Sequence, residues 1–205
     1  AMHSSLPPEG LLGRRALLGA ALGAAGLAPA HAQTAQEEGD PQALLRKGGV
    51  VVAFRHALAP GTFDPPGFRL DDCSTQRNLS EQGRDQARRM GEWFRARQLA
   101  PARVRSSPWC RCIDSATLTF GAPQVWPALG SPRGVSETTG AEHLRQLQQA
   151  LAAVAGQRGR FEAWFTHMFV LSDLTGYSAQ SGEGFILAPG PGGKARVLAR
   201  IGVPA

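Results

Sequence analysis

Cysteine is scarce in this chain: three residues among 205 are too few to staple a disulfide scaffold. No stretch reaches the roughly 18 uninterrupted apolar residues that a membrane-crossing helix needs. The 25 Gly and 15 Pro follow no collagen-like period, and no segment repeats. Charged residues are few, at 19%, while 42% are apolar. That balance lets the chain bury a core and excludes wholesale disorder. One loop-rich globular domain is the expectation at this length.

Signatures of other function classes are also missing. There is no zinc-finger spacing, no aromatic pattern of an RNA-recognition motif, no dense Lys/Arg tract and no G-x-S-x-G elbow of a serine hydrolase. Lys+Arg exceed Asp+Glu by 22 to 16, a formal net charge of +6. The excess is modest and Arg-dominated, which suits an anionic small substrate better than nucleic acid. A nucleic-acid binder would betray itself by steeply salt-dependent affinity.

What is present begins with an address label. Arg14-Arg15 precedes a Gly- and Ala-rich apolar run over residues 16–28, and Ala30-His31-Ala32 precedes Gln33. A cationic start, an apolar core and an A-x-A site are the parts of a secretory signal. The paired arginines make it similar to a twin-arginine signal, read by a translocase that exports folded proteins. An amphipathic N-terminal helix is the alternative, but it has no use for the A-x-A ending. Residues 1–32 are thus expected to be a signal peptide, with Ala1-Met2-His3 a cloning remnant. Residues 33–40 read as flexible, residues 41–205 as the domain, and the destination as periplasmic or secreted, where disulfides are permitted.

Past residue 40 the pattern alternates. Pro41 opens a short helix that Gly48-Gly49 ends. Val50, Val51, Val52, Ala53 and Phe54 form a continuous run typical of a strand covered on both faces. A long loop, 57–79, follows, of a length that in compact domains is functional or disordered. Ser80 caps a helix to about residue 98, with Ala87, Met90, Phe94 and Arg97 on one stripe. A strand at 103–106 leads to a helix at 108–120, with Ser107 as cap and Pro108 in the first turn. A short strand is expected near 124–126. Leu144, Leu147, Leu151 and Val154 mark a helix over 140–155. Strands at 161–166, 184–188 and 196–201 and a short helix at 168–174 complete the pattern. It predicts an α/β three-layer sandwich, a mainly parallel sheet with helices on both faces.

In such sheets ligands bind beyond the carboxyl ends of the strands. The first strand ends in Arg55-His56, the second runs through Ser106-Ser107-Pro108 to Arg111, and the fourth ends in Thr166-His167. Each alone is an ordinary polar strand end. Together they would converge on an anion receptor, most naturally for a phosphoryl group. Ser106 and Ser107 suit strand-end and capping roles, and Trp109 either packs or lines the entrance.

These positions carry a resemblance. Residues 48–57 (GGVVVAFRHA), 76–87 (QRNLSEQGRDQA), 104–112 (VRSSPWCRC), and Phe165-Thr166-His167 with Leu174-Thr175-Gly176 resemble, in order, the motifs of the histidine phosphatase, or phosphoglycerate-mutase-like, superfamily. The likeness runs over about residues 41–202. Ala57 stands where many members have Gly, which is similar to a small exported branch with an Arg-His-Ala opening. The resemblance implies a phosphoglycerate-mutase-like fold and no metal or other cofactor. It makes His56 the nucleophile that takes the phosphoryl group, Arg55 and Arg111 the clamp on its oxygens, and His167 the fourth member of the pocket. A neutral imidazole is a competent nucleophile, and guanidinium forks stabilise equatorial phosphoryl oxygens. The family's acid, some 25 residues after the second arginine, would fall on Glu137, which could equally be a helix-start residue. Asp114 is the other candidate. With neither in reach, substrates with good leaving groups would be favoured.

Cys73, Cys110 and Cys112 lack zinc spacing. A disulfide from Cys73 to either Cys110 or Cys112 is expected, tying the long loop to the helix of Arg111 and leaving the third thiol free. The function expected is an exported phosphatase acting on a phosphorylated small molecule or phosphoprotein. A mutase is disfavoured by size. The alternative is a non-catalytic phosphate- or polyanion-binding module on the same fold, in keeping with Met168 where relatives often carry a polar residue.

Overall fold

The computed structural model describes residues 39–133, 135–203 and 205. The predicted signal over residues 1–32 and most of the 33–40 segment lie outside the described residues. At the start of what is described, Gly39 N–H donates to Leu198 O (2.9 Å), and the Asp40 side chain caps the first helix.

The elements are α1 (Pro41–Lys47), β1 (Val50–Arg55), α2 (Glu81–Ala96), β2 (Arg103–Ser106), α3 (Cys110–Phe120), β3 (Gln124–Val125), α4 (Glu137–Ala155), β4 (Phe161–Thr166), α5 (Met168–Thr175), β5 (Gly184–Pro189) and β6 (Ala195–Ile201). They form one six-stranded sheet in the order β3-β2-β4-β1-β5-β6. The first four strands in that order pair in parallel; β5 and β6 close the sheet antiparallel.

The apolar run of β1 explains the layering. Side chains alternate across a strand, so Val50, Val52 and Phe54 enter one core and Val51 and Ala53 the other. On the first face, Met90 and Phe94 of α2 pack with Ala116 of α3 and Leu45 of α1. On the second, Leu147, Leu151 and Val154 of α4 pack with Leu171 and Leu174 of α5. Helices on both faces of the sheet give the three-layer α/β architecture. Among the described residues no helix is long and apolar enough to cross a membrane.

Two helix starts differ from the sequence expectation. Helix α3 begins at Cys110, not at Pro108, and Trp109 occupies the cap position without a side-chain cap bond. Ser107 Oγ lies 2.8 Å from His167 Nε2 and also receives the Trp109 N–H at 3.3 Å. The serine read as a cap is thus tied to the strand ends. Helix α4 begins at Glu137, three residues earlier than its apolar stripe suggests, because Ser136 Oγ accepts the Thr139 N–H (3.1 Å).

Candidate active site

Strand register brings the chemistry together. Arg55 pairs with Thr166 across β1 and β4, and His56 N–H donates to Thr166 O at 3.0 Å. The residues that follow, His56 and His167, therefore leave neighbouring strand ends side by side, with ring centres 5.7 Å apart. On the other side of β4, Ser107 N–H donates to Phe165 O (2.9 Å), and the chain turns into α3, whose second residue is Arg111. Arg55, His56, Arg111 and His167 all line one cavity of about 370 Å³.

The imidazoles have defined tautomers. His56 Nδ1 lies 2.7 Å from Ala57 O; a carbonyl only accepts, so Nδ1 carries the proton and Nε2 keeps its lone pair. Arg111 Nη2 lies 3.4 Å from His167 Nδ1. A guanidinium only donates, so His167 accepts there and offers its Nε2–H to Ser107 Oγ. Both rings are almost wholly buried, at 2% and 3% exposure. Burial, reinforced by Arg111, Arg55 and Arg77, pushes His56 down to about 3 against the opposing pull of the Ala57 carbonyl. Burial and the same positive surroundings, with His56 added, hold His167 well below its ordinary value. Both are neutral at neutral pH.

Three further charged side chains line the cavity, and a reading of the sequence misses them: Asp64, Arg77 and Arg133. Asp64 sits in the 57–79 loop, where no spacing connects it to the strand ends. Its carboxylate accepts from Arg111 Nη1 (2.8 Å), the Arg77 backbone N–H (3.0 Å) and Trp109 Nε1 (3.1 Å). Burial pushes this carboxyl up, but the bonds from Arg77 and Arg111, the Arg111 charge and the Trp109 bond outweigh it and hold the group below its ordinary value. Arg77 lies inside the Gln76-Arg77-Asn78-Leu79-Ser80 motif, and that placement was the available signal. Its Nη1 donates to Ala59 O. Four guanidiniums and one carboxylate thus line the cavity. The Nε atoms of Arg55, Arg77 and Arg111 are buried without a hydrogen-bond partner, and uncommitted donors of this kind favour an anion.

The two carboxylates singled out for proton donation stand elsewhere. Glu137 is exposed at the first position of α4, and Asp114 pairs with Arg84 (3.3 Å). Neither lines the cavity. The disulfide joins Cys73 to Cys110, anchoring the long loop to the first residue of α3. Cys112 is free and buried, and burial pushes its thiol up to about 12. Trp109 lines the cavity while its indole holds Asp64. Among the described residues no three His, Cys, Asp or Glu side chains gather as a metal-binding group.

No protein-family model matches the sequence. No curated protein matches it either. Solved structures do. A protein histidine phosphatase SixA complexed with tungstate superposes with a TM-score of 0.51 at 19% identity, over 74% of this chain and 96% of that one. An Entamoeba histolytica phosphoserine phosphatase mutant in complex with phosphoserine gives 0.54 at 10% identity, over 74% and 95%. The Mycobacterium tuberculosis open reading frame Rv3214 gives 0.52 at 16% identity, over 72% and 94%. At these identities the likeness establishes the fold, which is phosphoglycerate-mutase-like.

Proposed function

We propose that this chain is an exported, metal-independent phosphatase that hydrolyses a phosphomonoester or related phosphoryl compound through a phosphohistidine on His56. The observation that carries the reading is the free Nε2 lone pair of a neutral, buried His56 in a cavity lined by Arg55, Arg77 and Arg111. The activities of the superposed histidine phosphatase and phosphoserine phosphatase agree with it, as does the four-motif resemblance in the sequence.

The chemistry balances in two displacements. His56 Nε2 attacks phosphorus as the bond to the leaving group breaks, and the leaving group departs with that electron pair. Water then attacks phosphorus, the P–N bond breaks, and its electrons return to Nε2 with release of phosphate. Splitting the reaction makes each step easier, and the arginines offset charge on the equatorial oxygens. The carboxylate that lines the cavity, Asp64, is ionised and held by three donors. It is a weak source of protons, so the favoured substrates have leaving groups that depart readily, such as acyl phosphates, phosphoramidates and aryl phosphates.

That shortage of a proton donor also favours one rival, a binding module that holds phosphate without cleaving it. Para-nitrophenyl phosphate separates the two. The enzyme reading expects hydrolysis that a chelator leaves intact and His56→Ala abolishes; the rival expects phosphate binding with no release of nitrophenol.

A further inference from the structure

Beyond the phosphoryl end, the cavity mouth is built around one guanidinium. Arg133 comes from the segment before α4, Phe63 from the 57–79 loop and Phe169 from the first turn of α5, and all three line the cavity. The Arg133 guanidinium carbon lies 4.7 Å from the Phe63 ring centre and 4.6 Å from that of Phe169. Phe63 is 59% exposed, so its ring faces the cavity mouth instead of filling the core.

Aromatic faces attract the cation but supply no lone pair. The five N–H donors of Arg133 therefore stay uncommitted; no described residue accepts a hydrogen bond from that guanidinium. Contact with two rings restrains an otherwise mobile side chain, so less freedom is lost when a ligand arrives. The inner arginines already receive one phosphoryl group. A cavity of about 370 Å³ falls in the ordinary range for small-molecule sites, with room beyond that group.

We propose that Arg133 grips a second negative group on the substrate, so that this protein takes phosphoryl compounds carrying an additional carboxylate or phosphate. The inference rests on the phosphoryl reading of the inner cavity and adds what the mouth selects. The competing view makes Arg133 a latch that only fastens the loop to α5.

Calorimetry on the whole protein distinguishes them, with methylphosphonate as the single-anion probe. Two series of increasing chain length carry the second group: ω-phosphonocarboxylates and α,ω-alkanediphosphonates. The expected result is that at least one length binds about tenfold tighter than methylphosphonate, and that Arg133→Gln erases that gain while methylphosphonate affinity stays within about twofold. Whichever series gains more identifies the second group as carboxylate or phosphate. A second anion that adds nothing at any length, a gain that survives in Arg133→Gln, or a variant that weakens every ligand alike would each overturn the proposal. Failure of methylphosphonate to bind the unaltered protein would instead overturn the phosphoryl reading itself, and the second site with it.

Discussion

Asp64 and Arg111, 47 residues apart in sequence, meet at 2.8 Å, and both side chains are at least nine-tenths buried. The contact neutralises part of a cavity that otherwise gathers positive charge. Removing the carboxylate leaves Arg111 facing Arg55 and Arg77 with less compensation. Asp64→Asn should therefore destabilise the protein by about 3 kcal/mol while binding inorganic phosphate more tightly, because one competing negative charge is gone. Urea unfolding and phosphate titration measure the two effects. Unchanged stability together with weaker phosphate binding would contradict this role.

The buried histidines set a pH dependence. An unfolded His titrates near 6.5, whereas folded His56 titrates at about 3. Between those values the unfolded chain holds a proton that the native state lacks, so stability falls as pH drops below about 6.5. Each pH unit costs about 1.4 kcal/mol per such histidine. His167 acts in the same direction, and Asp64, with its lowered value, contributes only at still lower pH. The melting temperature should drop between pH 7 and pH 5, and His56→Gln should flatten that slope. Ring NMR signals of His56 and His167 that titrate near neutrality would refute the account.

Much of this arrangement is legible in the sequence because burial writes it there. Val50 to Phe54 is apolar at every position since β1 is covered on both faces, and Arg55-His56 at its end needs no tertiary information to locate. Asp64 and Arg133 are different. Their positions depend on how irregular segments fold back, with the 57–79 loop held by Cys73–Cys110, by Arg69 with Asp72 (2.7 Å) and by the Trp109 indole. No residue spacing encodes such closures. Glu137 shows the converse: an interval suggests a site residue, but a serine cap turns that position into the exposed start of a helix.

The disulfide makes a separate prediction. It closes a separation of 37 residues between the loop that carries Asp64 and the first turn of α3. Cys73→Ser should cost about 2–4 kcal/mol and expose the 57–79 loop to limited proteolysis, with a larger loss of phosphate affinity than of secondary structure. Urea unfolding followed by circular dichroism, protease digestion and phosphate titration read these effects. A loop as resistant as in the unaltered protein would argue that the bond is dispensable to the cavity.

Two glycines in helices should respond oppositely to alanine. A Cβ on Gly83, near the start of α2, would meet Leu58 O at 2.0 Å, beside the segment that leaves His56. Gly83→Ala is expected to cost about 1–3 kcal/mol and to lower activity. Gly140, in α4, has open space around it, so Gly140→Ala should stabilise by about 0.5–1 kcal/mol with activity intact. Thermal unfolding of the pair tests whether α2 is seated on the loop as described.

The most direct test is to trap the covalent intermediate. Para-nitrophenyl phosphate turnover is stopped with alkali within milliseconds, and the protein is weighed whole and as peptides. The expected result is one phosphoryl group on His56, lost in His56→Ala along with turnover, and a rate reduced a hundredfold or more in Arg111→Ala. Sustained hydrolysis by His56→Ala, or a phosphoryl group found on another residue, would contradict it.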